Sequence, residues 1–104
     1  GMFVLMKEKI KPMYEDVNNK NGICLSIKTS KINSNKIWKD LVGLLIGNTL
    51  VKNNDHLQYI NGVSVSPKIN NCIFKIWLKN KSIANINNFN LNINNIDTTA
   101  VIFK

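Results

Sequence analysis

Apolar and polar side chains alternate along several stretches of the chain, and this period of two predicts β-strands with one buried face. The clearest case is 23–28, where isoleucine and leucine alternate with cysteine, serine and lysine. The same alternation runs through 58–66 from Tyr59 onward, and 71–78 is rich in isoleucine and phenylalanine. Turn residues at 67–70 separate the last two stretches, so we expect these to form a β-hairpin.

Helical periodicity is clearest in the stretch 35–47. Apolar residues recur there at intervals of three and four, with lysine and aspartate between them. Ser34 is a suitable N-cap and Gly47-Asn48 supplies a stop signal, so the pattern predicts a helix over about 35–47. A weaker pattern of isoleucine and phenylalanine predicts a short helix over about 82–90, although asparagine, a poor helix former, is abundant there.

Short apolar runs near both ends of the sequence complete the predicted order of elements. Phe3–Met6 and Thr99–Phe103 are predicted strands, and the cluster 18–22 carries turn residues. The order strand, strand, helix, strand, strand, weak helix, strand indicates a single α+β domain over residues 1–104. We expect an antiparallel, curved sheet with helices packed on one face. The other face of such a sheet is then available as a binding platform.

The net charge of +8 changes the functional picture because it favours a polyanionic partner. All 14 basic residues are lysines, so phosphate would meet point charges rather than the two-pronged guanidinium of arginine. The alternative is compositional, because asparagine, lysine and isoleucine dominate together and AT-rich codons favour all three. The charge therefore suggests nucleic acid, nucleotide phosphate or an acidic surface without deciding among them.

Candidate catalytic and metal-binding groups are sparse. Cys24 and Cys72 lie far apart in apolar contexts without metal-ligand spacing, so we expect two buried free thiols and no cofactor. His56 follows Asp55 in a polar stretch with no nearby serine or cysteine to complete a nucleophilic set, and we expect it to be solvated. The acidic residues form no paired-carboxylate pattern, and no apolar run approaches the roughly 18–20 residues of a membrane span. These observations argue against an enzyme and against membrane insertion.

Three motifs follow one another at close to a fixed spacing. The first is Lys-Pro-Met-Tyr-Glu-Asp at 11–16, followed by Asn-Lys-Asn-Gly at 19–22. The second is Ile-Trp-Lys-Asp-Leu-Val-Gly-Leu-Leu-Ile-Gly at 37–47. The third is Gly-Val-Ser-Val-Ser at 62–66, followed by Ile-Trp at 76–77. Together they resemble the eukaryotic translation initiation factor 4E family, which has Pro-Met-Trp-Glu-Asp, an aromatic-Trp pair before Leu-Ile-Gly, and Gly-small-Val-x-Val before Ile-Trp.

The resemblance implies a site for the methylated cap of messenger RNA. In the family, two tryptophans sandwich the cationic 7-methylguanine, a glutamate accepts hydrogen bonds from the base, and a further tryptophan contacts the methyl group. Matched position by position, Tyr14 takes the place of one sandwiching tryptophan, Glu15 that of the glutamate and Trp77 that of the methyl-contacting tryptophan. Lys68 takes the place of a phosphate-binding arginine. The family's next phosphate-binding lysine aligns with Ile73, and Lys75, which shares a strand face with Trp77, is expected to compensate for its loss.

The sequence departs from the family pattern at several of these positions. Tyrosine offers a weaker π face than tryptophan, and lysine lacks the bidentate grip of arginine. The other sandwiching tryptophan belongs to a family segment that precedes the first residue of this sequence. On the predicted helix, Lys39 and Gly43 replace apolar residues that receive peptides of translation scaffold proteins. These replacements remove apolar contacts that such a peptide uses in the family. The resemblance itself implies a translation scaffold protein as a partner at the 35–47 face.

The resemblance implies binding of the 7-methylguanosine cap by a cytoplasmic translation initiation factor, with capped mRNA as its partner. Two alternatives stay open: a basic module that binds RNA or protein without reading the cap, and a structural protein whose charge is compositional. Trp77 separates them, because partial exposure beside Tyr14 supports a site and full burial supports a core role. Trp38 lies in the apolar stripe of the predicted helix and is expected in the core.

Overall fold

A five-stranded antiparallel sheet forms the body of the protein, in a computed structural model that describes residues 2–7, 22–93 and 102–103, the last pair by backbone alone. Its strands are β1 (Phe3–Met6), β2 (Ile23–Ser30), β3 (Ile60–Pro67), β4 (Asn71–Leu78) and β5 (Ile102–Phe103), in the spatial order β1-β3-β4-β2-β5. The helix α1 (Ser34–Ile46) packs on one face. Short 3₁₀ turns span Lys31–Asn33, Asn54–Tyr59, Lys81–Ile83 and Ile86–Asn88. The predicted α+β fold, with an antiparallel sheet and helical structure on one face, is confirmed.

The period-two pattern decides which side chains enter the core. Leu25, Ile76 and Val63 are neighbours in register across β2, β4 and β3. None of them exposes measurable surface, and they share a core cluster with Ile37 and Leu41 of α1. The apolar stripe of the helix and the apolar face of the sheet therefore bury each other, which is the main source of stability in such a two-layer fold.

The helix α1 begins one residue earlier than predicted, and Ser34 is not its N-cap. Asn33 occupies that position, while the Ser34 hydroxyl donates a 2.8 Å hydrogen bond to the carbonyl oxygen of Lys31. Ser34 thus closes the preceding 3₁₀ turn instead of accepting a bond from the helix. The predicted stop signal is confirmed: Gly47 is the C-cap, and Asn48 adopts a left-handed φ of 58° that asparagine tolerates better than most residues.

The short helix predicted over 82–90 is wrong, because this segment forms two separate 3₁₀ turns. The side-chain oxygen of Asn80 accepts a 2.9 Å hydrogen bond from the backbone N–H of Ser82. Asn85 accepts an equivalent 2.9 Å bond from the N–H of Asn87. Each bond starts a new turn and gives the backbone an alternative to a continuous helix, which explains why the asparagines outweigh the apolar periodicity.

The strand boundaries match the predictions to within two residues where both can be compared. β4 has the predicted bounds, while β3 begins two residues late, at Ile60, because a 3₁₀ turn capped by the Asn53 side chain precedes it. The predicted β3–β4 hairpin is confirmed, with the N–H of Lys68 donating a 2.7 Å bond to the carbonyl oxygen of Asn71. Of the predicted strand 99–103, only its pair 102–103 is described, and these residues form β5.

Gly62 permits the close approach of β1 to β3. A Cβ atom at this position would lie 2.5 Å from the carbonyl oxygen of Leu5 and 2.6 Å from the Cα of Met6. The register between β3 and β4 shifts between Ile60 and Gly62, so Gly62 pairs with Trp77. Glycine is therefore needed at the place where three strands pass beside the tryptophan.

Candidate functional site

The sheet face opposite α1 carries the predicted site residues of β4. Ile73, Lys75 and Trp77 alternate with the core residues of that strand, so they share this face. Ser64 of β3 and Ser26 of β2 are the register partners of Lys75 on either side. We call the surface made by these five residues the outer face. It is buried around Trp77 and Ser64 and becomes half-buried towards Ile73.

Trp77 is anchored by a hydrogen bond to the neighbouring strand. Its indole Nε1 donates to the hydroxyl oxygen of Ser64 over 3.0 Å, and both residues are buried. A buried indole N–H needs such a partner, because leaving it unpaired is costly. The side chain is only 4% exposed, which is what the core interpretation of Trp77 expects rather than the partial exposure of an open site. Direct contact between Trp77 and a ligand stays a prediction.

Lys75 lies over the ring of Trp77, as their shared strand face predicts. Its ammonium Nζ is 5.6 Å from the centre of the indole ring, within the range of a cation–π interaction. The side chain of Lys75 is half-buried. The π face of Trp77 thus already attracts a positive charge within the folded protein, which is the electrostatic property that a cationic base would require.

Lys68 lies at the far end of the sheet from Trp77, in the turn between β3 and β4. Its side chain is exposed and borders an open hollow of about 680 Å³. That hollow is lined by Lys31, Pro67, Lys68, Ile69, Asn70 and Asn71. Lys75 pairs with Ser64, and four residues from Ser64 to Lys68 span roughly 13 Å of extended strand. The two predicted phosphate-binding lysines are therefore separate positions along one strip of surface.

Tyr14 and Glu15, the predicted stacking and base-reading residues, lie outside the described residues. Their roles stay predictions from the sequence. The described residues on either side of that segment both adjoin the Trp77 end of the sheet. Met6 pairs with Gly62, which pairs with Trp77, and Cys24 of β2 pairs with Trp77 from the other side.

The side of α1 that faces away from the sheet contains the two positions expected to meet a scaffold partner. Lys39 and Gly43 are exposed and lie one helical turn apart. They border a hollow of about 530 Å³ whose other lining residues are Asp40, Leu44, Asn90, Asn92 and Ile93. Trp38, predicted in the core, is partly buried and packs against the core cluster, which confirms that prediction.

Other candidate groups form no second site in the described part of the chain. Cys24 and Cys72 are buried thiols, as predicted. His56 is half-buried rather than solvated, and its Nδ1 is buried without a hydrogen-bond partner. No group of three or more histidine, cysteine or acidic residues within 2–7 and 22–93 is arranged to hold a metal ion. No helix in the same residues is long and apolar enough to cross a membrane.

Sequence patterns alone do not single out two residues near the predicted site. The alternation of β3 places Ser64 on the outer face, but only the register with β4 brings its hydroxyl to the indole N–H. Lys31 precedes α1 and is distant in sequence from Lys68, and the hollow shows that they are neighbours. The signal that could have found Ser64 is a serine in the middle of an apolar strand. No local signal points to Lys31.

The described residues form an α+β domain, with an antiparallel sheet, a helix on one side of it and an anchored tryptophan under a lysine on the other. The family model described as eukaryotic initiation factor 4E matches residues 2–101, and the chain belongs to this family. The chain is 35% identical over 78 residues to the Eukaryotic translation initiation factor NCBP of Triticum aestivum. It is 30% identical over 64 residues to the Eukaryotic translation initiation factor 4E homolog of Acanthamoeba polyphaga mimivirus.

Solved structures agree with this assignment. The structure of Ascaris suum eIF4E-3 with m7G cap has a TM-score of 0.69 and 27% identity, over 83% of this chain and 48% of that one. The complex of C. elegans eIF4E-3 with the 4E-binding protein Mextli and cap analog has a TM-score of 0.72 and 25% identity, over 83% of this chain and 49% of that one. The matches to the wheat and mimivirus proteins cover 75% and 62% of this chain but only 32% and 24% of theirs. The chain thus spans about a third or less of those relatives.

Proposed function

We propose that this chain binds the 7-methylguanosine cap of mRNA at the Trp77 end of the outer face, as a translation initiation factor of the cytoplasm. Its membership of the initiation factor 4E family supports this function. The Ascaris structure with m7G cap and the C. elegans structure with a cap analog are complexes of this fold with the same class of ligand. On this proposal the chain is a binding protein and not an enzyme.

One observation carries the assignment of the site to this end of the sheet. The chain leaves β1 at Met6 and enters β2 at Ile23, and both points adjoin the strands that flank Trp77. The segment between them contains Tyr14 and Glu15. We assign Tyr14 to stacking on the methylated guanine and Glu15 to accepting hydrogen bonds from its edge.

The chemistry of this arrangement suits a cationic base followed by phosphates. A methylated guanine is positively charged, so it gains attraction over an aromatic face and from a carboxylate. Trp77 is assigned to packing near the methyl group from its fixed position on β4. Lys75 and Lys68 are assigned to the phosphates, and their spacing along the strip matches an extended chain of phosphates better than a single one.

A fluorescence titration tests the proposed function. The intrinsic tryptophan emission is followed during titration with 7-methyl-GTP and, separately, with GTP at the same ionic strength. Preference for the methylated ligand is the expected result, because only the methylated base carries the positive charge. Equal affinity for the two nucleotides, or no binding of either, would show that the family fold has lost cap recognition in this chain.

We also propose that the exposed side of α1 binds a translation scaffold protein. The C. elegans neighbour is in complex with a 4E-binding protein, and the hollow beside Gly43 is open to a peptide side chain. A Cβ on Gly43 would meet no atom within 4 Å, so a large residue fits there without disturbing the helix. Gly43→Arg should block binding of a peptide from a 4E-binding protein, whereas Gly43→Ala should retain it. Equal binding by both variants would place the partner elsewhere.

A further inference from the structure

We propose that Lys31 binds the phosphodiester backbone of the RNA that follows the cap, in the hollow at the β3–β4 turn that it shares with Lys68, the lysine assigned above to the phosphates of the cap. This inference rests on the proposed function for the identity of the RNA as capped message. It adds a second contact region, built by residues that come from two different parts of the sequence. Three properties of this region fit a single RNA strand: its charge, its surface chemistry and its direction.

The hollow is positively charged, and no acidic residue in the described part of the chain lines it. Both lysines are exposed. The described acidic residues lie elsewhere: Asp40 is bonded to Lys36 over 3.0 Å on α1, and Asp55 lies in the turn before β3. Two lysines that line the same hollow attract phosphate, and phosphate binding by lysine releases the counterions of a nucleic acid.

The hollow is also lined by apolar side chains and by the side-chain amides of asparagine. Ile69 is 91% exposed at the tip of the turn, next to Asn70 and Asn71. An exposed isoleucine offers contact area for the face of an unstacked base, and amide side chains donate to and accept from base edges and ribose hydroxyls. A ligand with phosphate, sugar and base uses all of these groups, whereas inorganic phosphate uses only the charge.

The cationic strip runs from the proposed cap site towards the hollow. From Trp77 to Asn71 the strand β4 spans six residues, or roughly 20 Å. Lys75 lies near the start of this path, and Lys28 lies in its middle, exposed and paired with Ile73 on the same side of the sheet. A strand whose first base lies at Trp77 therefore meets lysines at intervals before it reaches the hollow.

The test compares a short capped oligoribonucleotide with 7-methyl-GTP, using binding to the whole chain. We expect the wild-type protein to bind the capped oligonucleotide more tightly. Lys31→Ala should reduce the affinity for the oligonucleotide by about three- to fivefold at ~0.15 M salt, and lower its salt slope by about 0.7, as loss of one phosphate contact on a single strand predicts. The reduction for 7-methyl-GTP should be clearly smaller.

Lys81 provides a matched control. Like Lys31, it is exposed and is the first residue of a three-residue 3₁₀ turn, in which its carbonyl oxygen accepts a backbone hydrogen bond. Unlike Lys31, it lies beyond the end of β4 that is opposite to the hollow. Because Lys81 follows the Trp77 end of β4 and lies outside the path from Trp77 to the hollow, any effect of Lys81→Ala should stay within about twofold and be the same for the oligonucleotide and for 7-methyl-GTP. An equal loss in the two variants would mean attraction by general charge, and would overturn the inference.

Two further outcomes would also overturn it: the same affinity for oligonucleotide and nucleotide in the wild-type protein, or competition by inorganic triphosphate as strong as that by the oligonucleotide. Failure of the proposed function has a different signature. The protein would then bind GTP as well as 7-methyl-GTP, and capped as well as uncapped oligonucleotide. In that case, a loss of affinity in Lys31→Ala for the capped and the uncapped oligonucleotide that exceeds the loss for the nucleotides would still support the RNA contact.

Discussion

The indole Nε1 of Trp77 donates a hydrogen bond to the hydroxyl oxygen of Ser64, 3.0 Å away on the adjacent strand. The two residues are diagonal neighbours, because Ser64 pairs with Lys75 while Trp77 pairs with Gly62. The bond fixes the ring over which the Lys75 ammonium lies. Strand register therefore orients the aromatic face of the candidate site.

Replacing Ser64 by alanine should destabilise the protein by about 1–3 kcal/mol, because it leaves the buried indole N–H without a partner. Urea unfolding of Ser64→Ala against wild type measures this loss. Ser66→Ala, a half-buried serine on the same side of β3, is the control and should change stability by less. In a Trp77→Phe background the effect of Ser64→Ala should shrink, and an undiminished effect would contradict the role of this bond.

Gly43→Ala should stabilise the protein by about 0.5–1 kcal/mol. The residue is exposed in the interior of α1, where glycine is a weaker helix former than alanine, and the added methyl group meets open space. Thermal unfolding monitored by circular dichroism measures the change. Gly62→Ala provides the contrast, since its Cβ would approach the Leu5 carbonyl oxygen to 2.5 Å and should destabilise the sheet. Similar shifts in both variants would argue against this view of the two glycines.

Stability should depend on pH through Lys7. Partial burial, and secondly the charge of Lys79, lower the pKa of Lys7 below its ordinary value of 10.5. The unfolded chain then binds more protons than the folded one, so Lys7 makes the free energy of unfolding rise with pH between the lowered pKa and 10.5. Urea unfolding over this alkaline window should show a smaller rise for Lys7→Gln than for wild type. Identical pH profiles would mean that Lys7 titrates alike in both states.

Lys79→Gln separates the two causes of this shift. The variant removes the repulsion but keeps the burial, so the pKa of Lys7 should move part of the way back towards its ordinary value. The pH-dependent rise in stability should then be intermediate between those of wild type and Lys7→Gln. A profile that matches wild type would assign the shift to burial alone.

Glu15→Ala should abolish any preference for 7-methyl-GTP over GTP, because the carboxylate is the group proposed to read the charged base. The ratio of the two affinities, from tryptophan fluorescence titrations, measures this preference. Glu8→Ala removes the same charge from a position outside the family motif and should leave the ratio unchanged. Retained preference in Glu15→Ala would disprove the base-reading role assigned to this residue.

Local sequence patterns were reliable where a single periodic signal acted without competition. The isoleucine- and phenylalanine-rich stretch 71–78 predicts β4 residue for residue, and the apolar spacing at 35–47 predicts α1 to within one residue at each end. The same approach failed at 82–90. There the side chains of Asn80 and Asn85 bind nearby backbone N–H groups and break a helical pattern into two turns.

The amino-acid sequence by itself determined the α+β class, the principal strands and helix, the basic charge, the buried thiols and the family. These properties depend on side-chain period, composition and short motifs, all of which act over neighbouring residues. It also determined that Lys75 and Trp77 share a face, because strand geometry requires it. The sequence motif at 11–16 supplies Tyr14 and Glu15 as candidates for the site.

Only the tertiary structure decided which distant groups meet. The order β1-β3-β4-β2-β5 brings both flanks of the segment 8–21 to the Trp77 end of the sheet. The register between β3 and β4 places Ser64 where it accepts the hydrogen bond of the Trp77 indole. Lys31 and Lys68 line the same hollow because β2 ends beside the β3–β4 turn. The physical reason is that pairing between strands is set by core packing and chain connectivity over the whole domain, which no local pattern contains.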